Sequence, residues 1–105
     1  MTEQQNITDI IGIAEASKAA EAVRHLVASR PDEAPSMLAA IVRCDEATPQ
    51  VLVEAGKALW RLGRRGDALS AYERAAKADP DGPASLLLEH SNSIMDFFNP
   101  DLLNP

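Results

Sequence analysis

Residues 49–80 read PQVLVEAGKALWRLGRRGDALSAYERAAKADP, and their apolar spacing predicts two helices joined by a tight turn. Thr48 is a favourable N-cap, and Pro49 suits the first position of a helix because its missing N–H has no helical partner to lose there. The apolar stripe of the first helix recurs at the helical period. It consists of Leu52, Ala55, Gly56 and Leu59. Gly63 and Gly66, with two arginines between them, predict the turn that follows.

The second helix begins near Asp67, whose carboxylate either caps the helix or lies favourably at its positive end. Small and aromatic residues then share one face: Ala68, Tyr72, Ala75 and Ala76. Residues 79–83 read DPDGP, and the two prolines and the glycine of that run end the helix. The two helices together form a hairpin of about 34 residues.

This hairpin resembles a tetratricopeptide repeat, a helix-turn-helix unit with small and large residues at fixed places. Seven of eight signature places hold the expected type of residue: Leu52, Gly56, Leu59, Ala68, Tyr72, Ala75 and Pro80. Ala55 is the departure, since a larger aliphatic residue is usual there. The small residues let two helix backbones approach while the large ones fill the space beside them. The resemblance implies an all-α fold of about five helices, in which antiparallel hairpins stack as a short right-handed superhelix.

The remainder of the 105-residue chain reads as part of the same single domain. We predict a degenerate repeat over residues 15–48, the clear repeat over residues 49–82, a capping helix over residues 83–98 and an extended tail over residues 99–105. One clear repeat cannot bury both of its faces alone, so the flanking helices or a second subunit must cover it.

The N-terminal part of the chain is less regular. Apolar residues have broadly helical spacing over residues 7–29, where we place either one long helix or a short helix followed by a longer one. Moving the frame back by one repeat length puts small or apolar residues at four signature places, namely Ala22, Ala34, Leu38 and Ile41. Lys18 then falls at the early leucine place and Glu46 at the late proline place, so this unit is degenerate.

Charge is distributed unevenly along the chain, whose formal net charge is −6. Residues 57–77 hold six basic and two acidic side chains, so this segment carries +4 and the remainder −10. An acidic chain disfavours general nucleic-acid binding. The local basic face either attracts an acidic peptide or another subunit, or is simply a solvated helix face.

Three features of the sequence indicate where the protein is located. Cys44 is the single cysteine, so no disulfide forms within the chain. The N-terminal residues lack the pattern of a secretion signal, and no apolar run approaches the roughly 18 residues of a membrane span. We therefore expect a soluble, acidic, cytoplasmic protein that makes no membrane contact.

In the repeat family, the first helix of each repeat lines a concave face that binds extended peptides or partner helices. The resemblance implies such a groove here, with five candidate residues: Gln50, Val53, Lys57, Trp60 and Arg61. Trp60 offers a large amphipathic contact, and the two cations can meet a carboxylate. In the alternative interpretation, Trp60 packs in the core and is covered by the chain's own C-terminal segment.

The C-terminal segment has its own apolar residues, namely Phe97, Phe98, Leu102 and Leu103. They either seal the end of the domain, dock in a neighbouring copy to make a homodimer, or bind a partner as a short motif.

No pattern in the sequence predicts reaction chemistry. His25, His90 and Cys44 stand apart, and neither a glycine-rich phosphate loop nor a serine elbow is present. We therefore predict no catalytic residues, no metal site and no cofactor. The expected function is that of a non-enzymatic adaptor, scaffold or assembly helper that binds a protein or peptide. The alternative is a self-associating structural module.

Overall fold

Six α-helices with short connections make up the described part of the chain. The fold is that of a computed structural model, which describes the backbone of residues 2–97 and the side chains of residues 7–90. The helices are α1 Thr2–Ile11, α2 Ala16–Ser29, α3 Ala34–Val42, α4 Pro49–Arg61, α5 Arg65–Ala78 and α6 Ala84–Phe97. Residues 2–97 contain no strand, which confirms the predicted all-α class. The tail over residues 99–105 lies outside the described residues.

A break near the N-terminus produces one helix more than expected. Of the two alternatives for residues 7–29, the structure has the second, a short helix α1 followed by a longer helix α2. The Ile13 N–H donates to the Ile10 carbonyl at 3.1 Å and tightens the end of α1. Glu15 is extended, and its carbonyl accepts from the Ala19 N–H to begin α2.

Thr48 binds this break to the start of α4. Its N–H donates to the Ile11 carbonyl at 3.0 Å, and its hydroxyl donates to the Ile13 carbonyl at 2.6 Å. The same hydroxyl accepts from the Val51 N–H at 3.2 Å, and Pro49 lies in the first turn of α4, as predicted. Carbonyls at the end of α1 have no partner within that helix, and Thr48 supplies donors to two carbonyls at the break. The break is therefore stabilised by tertiary contacts.

A Schellman motif ends α4 and turns the chain sharply into α5. Gly63 has a φ of +85°, a left-handed conformation that favours glycine. Its N–H donates to the Trp60 carbonyl at 3.1 Å, and the Arg64 N–H donates to the Leu59 carbonyl at 2.8 Å. The predicted turn is confirmed at Gly63, but Gly66 lies within α5, which begins at Arg65 and so before the start predicted near Asp67. Asp67 lies in the first turn of α5 and pairs with Arg64 at 2.9 Å, so its charge is at the positive end of the helix although its side chain does not cap it.

Helices α4 and α5 pack more closely than any other two described helices. Gly56 permits this approach, because a Cβ atom built there would lie 2.5 Å from Tyr72 Cε1 and 3.2 Å from the Ala71 Cβ. All but one of the predicted core residues of this hairpin are buried: Leu52, Gly56, Leu59, Ala68, Tyr72 and Ala75. Pro80 is exposed in the connection to α6.

The remaining helices pack around this pair, and α2 runs alongside α4 in the same direction. Ala16 at the start of α2 lines a cleft together with Pro49 at the start of α4. Val27 near the end of α2 lines another cleft with Leu62, just after the end of α4. Helix α3 packs on α4 and α5, while α6 packs on α5. At its start, Ala84 of α6 joins a buried cluster with residues of α4.

Candidate functional site

The five predicted groove residues of α4 do not form one surface, because they divide between two clefts and the core. The first cleft has a volume of about 230 Å³ and lies between the N-terminal half of α4, the start of α2 and the turn from α5 to α6. Gln50, Val53 and Lys57 line it. Val53 is buried and forms part of its floor, whereas Gln50 and Lys57 are half-buried. The structure thus brings three of the five residues together.

The charged residues that line the first cleft are one cation and two carboxylates. The Lys57 Nζ lies 3.4 Å from the Glu54 Oε2, and the Glu54 side chain is only 16% exposed. Asp79 adds a second carboxylate to the lining, from the end of α5. A cation that already faces a carboxylate attracts another acid less strongly, so this cleft offers apolar contact and hydrogen bonding more than net charge.

Tyr72 packs against α4 at Gly56, and the charges of two residues on that helix act on its hydroxyl. Burial raises the pKa of the Tyr72 hydroxyl above its ordinary value; the Arg61 guanidinium lowers it and the Glu54 carboxylate raises it, both by less. The hydroxyl therefore remains neutral at physiological pH.

Arg61 lies in the second cleft, which has a volume of about 320 Å³ and separates the C-terminal halves of α2 and α4. Helix α2 contributes Val23, Arg24, Val27 and Ala28, while Ala58, Arg61 and Leu62 come from α4 and its C-cap. Arg24 and Arg61 are both exposed. The lining is thus apolar with two guanidinium groups.

Trp60 lines neither cleft. Its half-buried ring packs against the main core cluster, and the Arg65 guanidinium carbon lies 4.9 Å from the ring centroid. This distance fits a cation–π interaction. Trp60 therefore packs on the core, and the predicted cover from the C-terminal segment involves side chains outside the described residues.

Part of the predicted basic face serves the fold. Arg74 donates to the Val42 carbonyl at the end of α3, and its Nη2 lies 3.3 Å from the Asp45 Oδ1. A cation at that position also favours the negative end of the α3 dipole. By contrast, Arg61 and Lys77 form no ion pair with another described residue.

The α2 side of the second cleft was missed in the sequence, as was the α5–α6 turn in the first. Arg24 and Val27 lie on a helix whose sequence fits the repeat poorly, so no signature place pointed to them. The useful signal was Arg24 beside the apolar Val23 and Val27, but the facing helix had to be known before that signal had meaning.

Two further groups of candidate residues give no site. His25 Nε2 lies 3.3 Å from Ser29 Oγ on the exposed face of α2, and this pair has no hydrogen-bonded carboxylate among the described residues. Within residues 7–90, no three His, Cys, Asp or Glu side chains are placed to hold a metal ion. None of the described helices combines the length and apolar character needed to cross a membrane.

Comparison of the chain with protein-family models, with curated proteins and with solved structures gives no match.

Proposed function

We propose that this chain is a non-enzymatic interaction domain of tetratricopeptide-repeat type, an adaptor or assembly helper that binds a peptide segment of another protein along α4. The binding face comprises the first cleft, the second cleft and the exposed ridge of α4 between them. Affinity comes from shape, apolar contact and a few polar anchors, without reaction chemistry. The lone, half-buried Cys44 suits a reducing compartment such as the cytoplasm.

The spacing of the helices supports the repeat architecture. Helices α2 and α4 begin 33 residues apart, and α4 and α6 begin 35 residues apart, close to the repeat length of the family. In addition, α2 and α4 run in the same direction with α3 packed behind them, which is the arrangement expected of successive repeats.

The observation that carries the proposal is the first cleft itself. Its walls come from α2, α4 and the start of α6, the counterparts of the helices that line the concave face in a repeat array, together with the end of α5 and the α5–α6 turn. The cleft combines the buried floor of Val53 with the accessible polar ends of Gln50 and Lys57. A narrow groove with an apolar floor and polar rim suits an extended peptide.

The test is a selection of random twelve-residue peptides displayed on phage against the immobilised full chain, followed by affinity measurement with synthetic versions of the enriched peptides. Lys57→Glu should weaken binding about tenfold, because it replaces a rim cation by an anion beside Glu54. Lys77→Glu makes the same change of charge outside both clefts and should leave the affinity within about twofold. No enrichment of any peptide would reject the proposal, and equal affinities of the two variants would remove the first cleft from the binding face.

A second candidate function is self-association through α6. Leu86 on that helix is 72% exposed, the most exposed large apolar side chain among the described residues. Such a side chain on the last helix of a stack suits contact with another copy. Light scattering on the purified chain used for the selection distinguishes the two functions, since a monomer at micromolar concentration contradicts self-association.

A further inference from the structure

We infer that the second cleft selects the chemistry of the partner: a peptide segment that presents a bulky apolar side chain with carboxylates on neighbouring residues. This inference rests on the proposed function, because it concerns a ligand of the same face. It assigns the recognition of acid to Arg24 and Arg61, on opposite sides of the cleft.

The floor of the second cleft is apolar on both sides. Val23 and Val27 come from α2, and Ala58 comes from α4. Leu62 lies at the edge and is 38% exposed, one of two large apolar side chains classed as exposed in the described part of the chain. A volume of about 320 Å³ falls at the lower end of the roughly 300–1,000 Å³ of ligand pockets. The cleft therefore accommodates an apolar anchor, and its occupation would remove Leu62 from water.

The charges around this floor have one sign. Arg24 and Arg61 are its charged lining residues, and none of the described residues that line it is acidic. Neither guanidinium forms an ion pair with another described side chain. Guanidinium groups bind carboxylates through paired, charge-assisted hydrogen bonds. In a chain of net charge −6, two unpaired cations beside an apolar floor are complementary to an acidic, apolar segment.

The first cleft lacks this preference, although it also contains a cation. Its Lys57 already faces Glu54 at 3.4 Å, and Asp79 lies in the same lining. An incoming carboxylate would meet net negative charge there. Selection for acid is therefore expected at the second cleft alone.

The experiment repeats the phage selection with the full chain and with the double variant Arg24→Gln/Arg61→Gln. The matched control is Arg43→Gln/Lys77→Gln, which removes two exposed cations outside both clefts. Circular dichroism establishes that each variant is folded. We expect peptides enriched on the original chain to contain Asp or Glu next to Leu, Ile, Phe or Met, and to bind the double variant at least about tenfold more weakly but the control within about threefold. Binding should also weaken as salt is raised.

Each other outcome overturns this inference in a recognisable way. Enriched peptides without acidic residues would refute it and leave the proposed function intact. Acidic peptides whose affinity is unchanged in the double variant would place acid recognition elsewhere. A dimer of the chain that dissociates in the double variant would show that a second copy fills the cleft. No enrichment at all would reject the proposed function together with this inference.

Discussion

The pairs α2–α3 and α4–α5 are closely related in their pattern of buried positions, yet they are packed differently. Helices α4 and α5 approach closely along their length, whereas α2 and α3 have few close approaches and α1 packs against both of them. The isoleucines at positions 10 and 11 of α1 belong to the same core cluster as the buried residues of α2 and α3. The same pattern of buried positions therefore occurs in two arrangements. Helices α4 and α5 contact each other directly, whereas α2 and α3 both pack against α1.

The size of the buried side chains explains the difference. In α4 the buried stripe is Leu52, Gly56 and Leu59, and in α2 the corresponding stripe is Ala19, Val23 and Leu26. Val23 thus stands where Gly56 permits contact in the other pair. Helix α5 buries mainly alanines, whereas α3 also buries larger residues: Met37, Leu38 and Ile41. Larger side chains keep the α2 and α3 axes further apart.

The spacing between the buried stripes explains why the repeat frame of the first pair was hard to predict. The stripes of α2 and α4 match at a shift of 33 residues, but those of α3 and α5 match at a shift of 34 residues. The interval from the last buried residue of one stripe to the first of the next is eight residues in the first pair, Leu26 to Ala34, and nine in the second, Leu59 to Ala68. A uniform shift therefore put exposed Lys18 and half-buried Ala22 at places that Ala19 and Val23 occupy.

The largest loss of stability is expected at Gly56, where the two pairs differ most. Gly56→Val gives α4 the residue that α2 has, and its Cβ would collide with the ring of Tyr72, which is 3% exposed and cannot swing into solvent. We expect a loss of about 3 kcal/mol or more in the free energy of unfolding, measured by urea denaturation with circular dichroism. Gly66→Ala is the control, since nothing lies within 4 Å of an added Cβ there and helix propensity favours alanine. Equal stability of the two variants would contradict the close packing of α4 on α5.

A smaller effect is expected at Thr48, which joins the α1–α2 break to the second pair. Thr48→Val removes the cap on the Val51 N–H and the donor to the Ile13 carbonyl. Together these losses should cost about 2 kcal/mol in the same unfolding measurement. Thr48→Ser keeps the hydroxyl and should lose less than about 1 kcal/mol. If serine were as damaging as valine, packing of the methyl group would contribute as much to stability as the hydrogen bonds.

The smallest effect is expected at Arg74, which links the pairs directly by donating from α5 to the end of α3. Arg74→Gln removes the cation at the Val42 carbonyl and the exposed pair with Asp45, which contributes little. We expect a loss of about 1 kcal/mol, compared with Lys77→Gln on the same helix, which should stay within about 0.5 kcal/mol. If Arg74→Gln lowered the free energy of unfolding more than Gly56→Val, contacts between the two pairs would stabilise the fold more than packing within the second pair.

Local sequence features predicted the second pair well and the proposed binding face only in part. The cap at Thr48, the turn at Gly63 and the burial around Gly56 depend on residues close in sequence, so they could be predicted from spacing. The candidate groove on α4 was a single helical stripe, and a stripe does not specify which neighbour covers each end. Trp60 proved to pack on the core, and Arg61 proved to share a cleft with α2.

The sequence by itself determined the all-α class, most helix boundaries and the tight packing of α4 on α5, because caps, breakers and small residues act over one or two helical turns. Only the tertiary structure decided where the N-terminal helix breaks, since Thr48 bonds to carbonyls that are distant in sequence. It also decided that Lys57 and Arg61, one turn apart on α4, lie in different electrostatic surroundings. The physical reason is that the field at a side chain depends on every helix packed around it, and helical spacing describes only the helix that carries it.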